Sequence, residues 1–173
     1  FSPTGTPLHD TFPLNRHTPG SQWSPTLAAL PQGGFVAAWS GRGSVDRSGV
    51  FGRRFNSKGE AEGPEFLINQ FTRAQQQEPV VAAYADGSFL FGWESWHDPE
   101  NECEVMLRWY DAEGLAMGDS FQVNTERWEG QGDPALVILP DGSAFAVWYS
   151  YGQDGSERGI FGRVLLAEVP VVS

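Results

Sequence analysis

The sequence is short of cysteine, lysine, histidine and long apolar runs, and each shortage removes a class of function. Cys103 is the single cysteine of 173 residues, so no intrachain disulfide can form. The nearest histidine, His97, lies six residues away in a carboxylate-rich stretch that would raise a thiol pKa, so Cys103 reads as an inert thiol. Lys58 is the only lysine, and the net charge is −11. That field repels a phosphate backbone, and no Lys/Arg cluster offsets it, so nucleic acid is set aside as a partner. Anionic lipid is disfavoured for the same reason. No apolar run approaches the ~18 residues of a membrane span, so no transmembrane segment is expected. His9, His17 and His97 lack metal-ligand spacing, and there is no Gly-x-Ser-x-Gly elbow or phosphate loop. Carboxylate pairs abound, as they do in any acidic chain, and do not point to a glycosidase. No catalytic residue and no metal ligand is assigned, and the expectation is a protein that is not an enzyme. The first residue is Phe1, which a removed signal peptide or a processed chain would explain.

What the chain has instead is punctuation and aromatics: 21 Gly, 12 Pro and 7 Trp. That composition suits many short strands joined by tight turns. Three segments align from Phe12, Phe66 and Phe121, spaced by 54 and 55 residues. Each opens Phe-x-φ-Asn, ending at Asn15, Asn69 and Asn124. A Gln follows at 22, 76 and 131, a Pro at 25, 79 and 134, a Trp at 39, 93 and 148, and an Arg at 53, 108 and 163. Five marks kept in three copies establish an internal repeat of about 55 residues. The chain is therefore read as one domain, 1–173, of three repeats: 12–65, 66–120 and 121–173.

Each repeat reads as a four-stranded antiparallel meander. The first strand covers 25–30, 79–84 and 134–139. Asp86-Gly87 and Asp141-Gly142 are hairpin turns, because glycine takes positive φ without steric cost. The second strand covers 35–39, 89–93 and 144–148, and the third 50–55, 105–110 and 160–165. The fourth is the Phe-x-φ-Asn element. The first two strands are almost continuously apolar and the last two mixed, a gradient that suits β-propeller blades with the fourth strand outermost. Pro13 in the first fourth strand fits an edge position. The fold class is thus all-β with propeller-like blades, and a β-trefoil is the alternative. Propellers have about four to eight blades, so three repeats need a second chain or a partner over their end faces. One route to closure is pairing of 12–15 with 160–165 within the chain, which the circular offset of the strands suggests.

The third copy, Gln131-x-x-Pro134 through Pro140-Asp141-Gly142-Ser143 to Trp148, then Gly152-Gln-Asp-Gly-Ser156 and Gly159-Ile-Phe-Gly-Arg163, resembles a repeat of large secreted bacterial adhesin-like and RTX-type surface proteins. The resemblance spans about 12–168. Copy two departs most, where Trp96-His97-Asp98-Pro99-Glu100-Asn101-Glu102 replaces the Gly-Gln-Asp-Gly-Ser loop. It implies an extracellular or periplasmic, cell-surface setting and an architectural repeat without defined chemistry.

Trp39, Trp93 and Trp148 repeat strictly and read as packing residues. Arg53, Arg108 and Arg163 read as donors to loop carbonyls. Trp23, Trp96 and Trp128 fall in predicted loops and do not repeat, which makes them the candidates for binding a partner or stacking on a sugar. The acidic run Asp98, Glu100, Glu102 and Glu104 and the turn at Asp154 match no calcium-loop spacing, so no cofactor is assigned and calcium is left open. The expected function is a non-catalytic accessory module for protein–protein assembly, docking on another protein or its own copy. The alternative is a lectin-like glycan-binding module, with or without calcium.

Overall fold

The computed structural model describes residues 2–6, 10–97, 102–126 and 130–166. These form strands and turns without a helix. The first sheet contains β1 (Gln22–Ala29), β2 (Phe35–Gly41), β3 (Gly49–Phe55) and β4 (Phe66–Leu67) in that order. The second contains β5 (Gln76–Ala83), β6 (Phe89–His97), β7 (Glu102–Tyr110) and β8 (Phe121–Gln122). The third has β9 (Gln131–Ile138), β10 (Ala144–Tyr151) and β11 (Arg158–Leu165). All neighbours are antiparallel, and sheets stack face to face as blades. No strands of different sheets join into a barrel, which excludes the trefoil alternative. No helix among the described residues is long and apolar enough to cross a membrane.

The turns form for the expected reason. The Asp86 and Asp141 carboxylates each accept bonds from the amide and hydroxyl two residues on, in Ser88 and Ser143. Those bonds hold both carboxyl groups below the usual aspartate range. In copy one Gln32-Gly33 stands at the Asp-Gly positions and Gly34 at that of Ser88. Gly34 has φ of 88°, and a Cβ there would collide with the Phe55 carbonyl.

Two cores lie between sheets. Val36, Ala38 and Val50 of the first meet Phe89, Phe91 and Trp93 of the second, all nearly without exposure. Leu90, Val105 and Leu107 of the second meet Ala144, Ala146 and Trp148 of the third. The three repeat tryptophans are 5%, 1% and 4% exposed, as expected for packing residues. Trp93 also donates its indole N–H to Gln76 Oε1 at 3.0 Å, so two of the repeat marks are one buried hydrogen bond.

The Phe-x-φ-Asn element ties neighbouring sheets together. β4 and β8 pair with β3 and β7. Asn69 Oδ1 accepts from Val50 N at 2.8 Å and Asn124 Oδ1 from Val105 N at 2.9 Å. The preceding carbonyls, Ile68 and Val123, accept from Arg108 and Arg163 of the next sheet at 3.2 and 2.6 Å. Leu14 O accepts from Arg53 in the same way, at 3.2 Å. Residues 12–15, however, form no strand. They do not pair with β11, whose only described neighbour is β10, so the intrachain closure expected from the sequence does not occur. The physical reason is that no described third strand lies beside them, and a strand forms only against another; Leu14 packs instead on the cluster of Trp39, Phe51 and Phe55.

This asymmetry predicts unequal costs for one substitution. Asn69→Ala or Asn124→Ala leaves a buried amide without its acceptor, a penalty of about 1–3 kcal/mol. Asn15 has no third strand to cap, so Asn15→Ala is expected to cost less than either by about 1 kcal/mol or more. Urea unfolding of the dilute chain measures all three; equal losses would contradict the assignment.

Candidate functional site

The internal interfaces show what each blade face is built to meet, and both outer faces of the stack lack that neighbour. In the third sheet, Phe145, Val147 and Ile160 occupy the repeat positions of Val36, Ala38 and Val50. The latter three are 0% exposed, whereas Ile160 is 78% exposed and Val164 and Val137 beside it are 52% and 48% exposed. Val164 pairs with Phe145, and Phe145 with Val137, so these side chains share one apolar sheet face. An apolar face left in water on a charged protein is a candidate interaction surface.

At the other end, the first sheet carries a cavity of about 310 Å³ lined by Phe12, Pro13, Leu14, Asn15, Gln22, Trp23, Pro25 and Trp39. Within the stack the corresponding space beside Trp93 is filled by Val36, Ala38 and Val50 of the preceding sheet. The cavity thus lies where a preceding blade would pack in the repeat geometry. Leu27 on that side is 62% exposed.

The strands run further than the sequence indicated, and this moves two of the binding candidates. Trp23 and Trp96 were expected in loops; Trp23 lies in β1 opposite Ser40, and Trp96 in β6 opposite Cys103. They stand on different sheets, and only Trp23 lines the socket. Trp96 is half-buried with its indole N–H unpartnered. Trp128 lies outside the described residues, as do Asp98 and Glu100 of the acidic run. Asp154 Oδ1 accepts from Ser156 N within its own turn. Among the described residues no group of three His, Cys, Asp or Glu could hold a metal.

The extension is made by a β-bulge before each repeat proline. Ser24, Glu78 and Asp133 have φ of 50°, 51° and 48°, and each first strand shifts register there. Left-handed backbone costs about 1–2 kcal/mol for such residues. The bulge turns the backbone N–H toward the preceding sheet, which offsets that cost. Glu78 N donates to Ser40 Oγ at 3.0 Å, and Asp133 N to Glu94 Oε1 at 2.7 Å. Glu94, 4% exposed, also accepts from Gln77 at 2.9 Å. The only hint in the sequence was a polar residue before each proline.

Cys103 is 1% exposed, and its thiol is pushed far up by burial and by the Glu94 carboxylate. Burial and that carboxylate both disfavour the thiolate, which counts against Cys103 as a nucleophile. Native protein at about pH 8 should therefore resist a thiol-specific disulfide reagent and react fully once unfolded. Rapid labelling of the folded chain would show that β6 and β7 open locally.

No protein-family model matches the chain, and no curated protein does. Among solved structures it is similar to the endo-arabinase from Bacteroides thetaiotaomicron, with a TM-score of 0.52 at 12% identity. The match covers 95% of this chain and 63% of that one, so the chain spans less than two thirds of that enzyme's length. At that identity the likeness is one of fold: an all-β arrangement of stacked antiparallel sheets.

Proposed function

We propose that the chain is a non-catalytic assembly module whose two outer blade faces are docking surfaces for protein. The observation that carries this reading is Ile160. It stands at the position of Val50 and Val105, both wholly buried between sheets, yet it is 78% exposed. The sequence pattern thus builds an interior face and leaves it in water. The setting implied by the resemblance to secreted adhesin-like repeats, cell surface or periplasm, is part of the same proposal. An accessory role fits a chain of −11 charge, where repulsion keeps the polar surfaces soluble and apolar faces select the contact.

A glycan-binding reading stands second. Trp23 with the Asn15 and Gln22 amides lines one groove, and sugars are held by an aromatic face plus amide hydrogen bonds. The structural likeness to an endo-arabinase adds a carbohydrate-acting protein of similar fold. Against it, Trp39 is only 5% exposed, so one indole at most can stack on a sugar.

The docking face is tested with an apolar fluorescent dye. The dilute, one-chain form should bind it, and the double change Ile160→Asp, Val164→Asp should remove more than about half the signal. Both residues are exposed, so the fold should lose only about 0.5 kcal/mol per site. Undiminished dye binding would rule out this face. The glycan reading is tested on an array: binding that Trp23→Ala abolishes would favour it over assembly. Incubation with a polysaccharide panel that includes arabinan should release no reducing sugar; release would overturn the non-catalytic assignment.

A further inference from the structure

We propose that two copies of this chain close head to tail into a six-sheet ring, with residues 12–15 of each copy adding as the outer strand to β11 of the other. This rests on the assembly reading and names its partner. The two ends of the stack are the two halves of one interface that the chain already makes twice inside itself.

The register can be read from the internal copies. Phe66 pairs with Gly52 and Leu67 with Phe51, and Asn69 caps the Val50 amide. Phe121 pairs with Leu107 and Gln122 with Met106, and Asn124 caps the Val105 amide. In the third sheet the positions Ile160, Phe161 and Gly162 await the same element. Phe12, Pro13, Leu14 and Asn15 are that element with no strand to pair with. In the proposed contact Phe12 meets Gly162, Pro13 meets Phe161, and Asn15 Oδ1 accepts from Ile160 N.

Pro13 fits this register. Ile68 N donates to Val50 O, so the 50/68 and 52/66 pairs carry the ladder bonds and the 51/67 pair does not. Pro13 takes the place of Leu67, where no N–H is needed. The segment is also already positioned. Arg53 holds the Leu14 carbonyl, and Leu14 packs on Trp39, Phe51 and Phe55. Phe12 lies against Gly59, as Phe66 lies near Gly114 in the next sheet. What it lacks is the third strand of a preceding sheet, and β11 is a third strand that has no fourth among the described residues.

The faces match as well. The socket beside Trp39 is the space that Val36, Ala38 and Val50 fill for Trp93, and the third sheet presents Phe145, Val147 and Ile160 at those positions. Each chain therefore has one socket and one plug on different ends. Two such head-to-tail contacts related by a two-fold axis close a ring and leave no free end. Pairing in cis is absent, since β11 has no described partner other than β10. Each copy carries −11, so salt that screens the repulsion should tighten the contact.

Light scattering on the full chain at about 100 µM should give twice the 19.0 kDa chain mass, more so at higher salt, and Ile160→Asp should return it to one. Chemical cross-linking fixes the register. A Leu14→Cys chain mixed with an Ile160→Cys chain should form a disulfide-linked pair on oxidation, and neither chain alone should do so. The buried Cys103 does not compete. A mass of one chain at that concentration, without the mixed cross-link, overturns the proposal. So does a mass that keeps growing beyond two chains, which means an open filament. If the one-chain protein still binds apolar dye through Ile160 and Val164, the assembly reading stands with a different protein as partner; if it binds none, both fall.

Discussion

Everything in the stack depends on a four-residue segment that belongs to two sheets at once. In Phe66 to Asn69 the backbone completes the first sheet, while the Ile68 carbonyl is bonded to Arg108 of the second. Phe121 to Asn124 does the same between the second and third sheets through Arg163. An antiparallel meander alone would let one blade slide on the next, because apolar contact is not directional. A guanidinium bonded at once to that carbonyl and, in Arg108, to Gly118 O of its own repeat, with an asparagine side chain capping the strand beside it, fixes both translation and tilt. Charge-assisted bonds of this kind are the stronger ones, and here the carbonyl they use is one that the ladder does not claim.

The inner ends of the blades are joined by a second device. Each pre-proline residue adopts left-handed backbone, and in the second and third sheets its amide crosses to the sheet before, at Ser40 or Glu94. Ser24 Oγ also reaches Glu78 Oε1 across the first interface at 2.8 Å. Outer latch and inner bulge together hold each pair of sheets at both edges of the apolar layer between them. Local strain is tolerated because it is the only way to aim a strand N–H out of its own ladder.

A module made this way is specified by its neighbours. Blade faces are interior surfaces by composition, and a finite stack always leaves two of them over. The chain answers this unequally: the first face is partly covered by Leu14, which keeps Trp39, Phe51 and Phe55 buried, while the third is bare. In the proposed assembly one end is a socket and the other a plug, so the contacts are directed rather than merely sticky. Its acidic surface opposes random association and leaves the matched faces as the favourable route.

The blade plan was legible in the residues because its determinants are local. Asp-Gly turns, the apolar second strands and the spacing of Gln, Pro, Trp and Arg each act within one repeat, and three copies made the pattern plain. Other features depended on geometry between repeats. The bulges at Ser24, Glu78 and Asp133 carry the strands past their prolines and take Trp23 and Trp96 out of the loops, because the neighbouring sheet supplies acceptors that no local pattern announces. Residues 12–15 carry the same signature as Phe66 to Asn69 yet form no strand, since a strand exists only beside another. Val50 and Ile160 carry the same instruction in the same context, and one is sealed while the other is open to water. Sequence by itself determined which faces are apolar; only tertiary structure decided which are covered, because burial is a property of the neighbour and not of the residue.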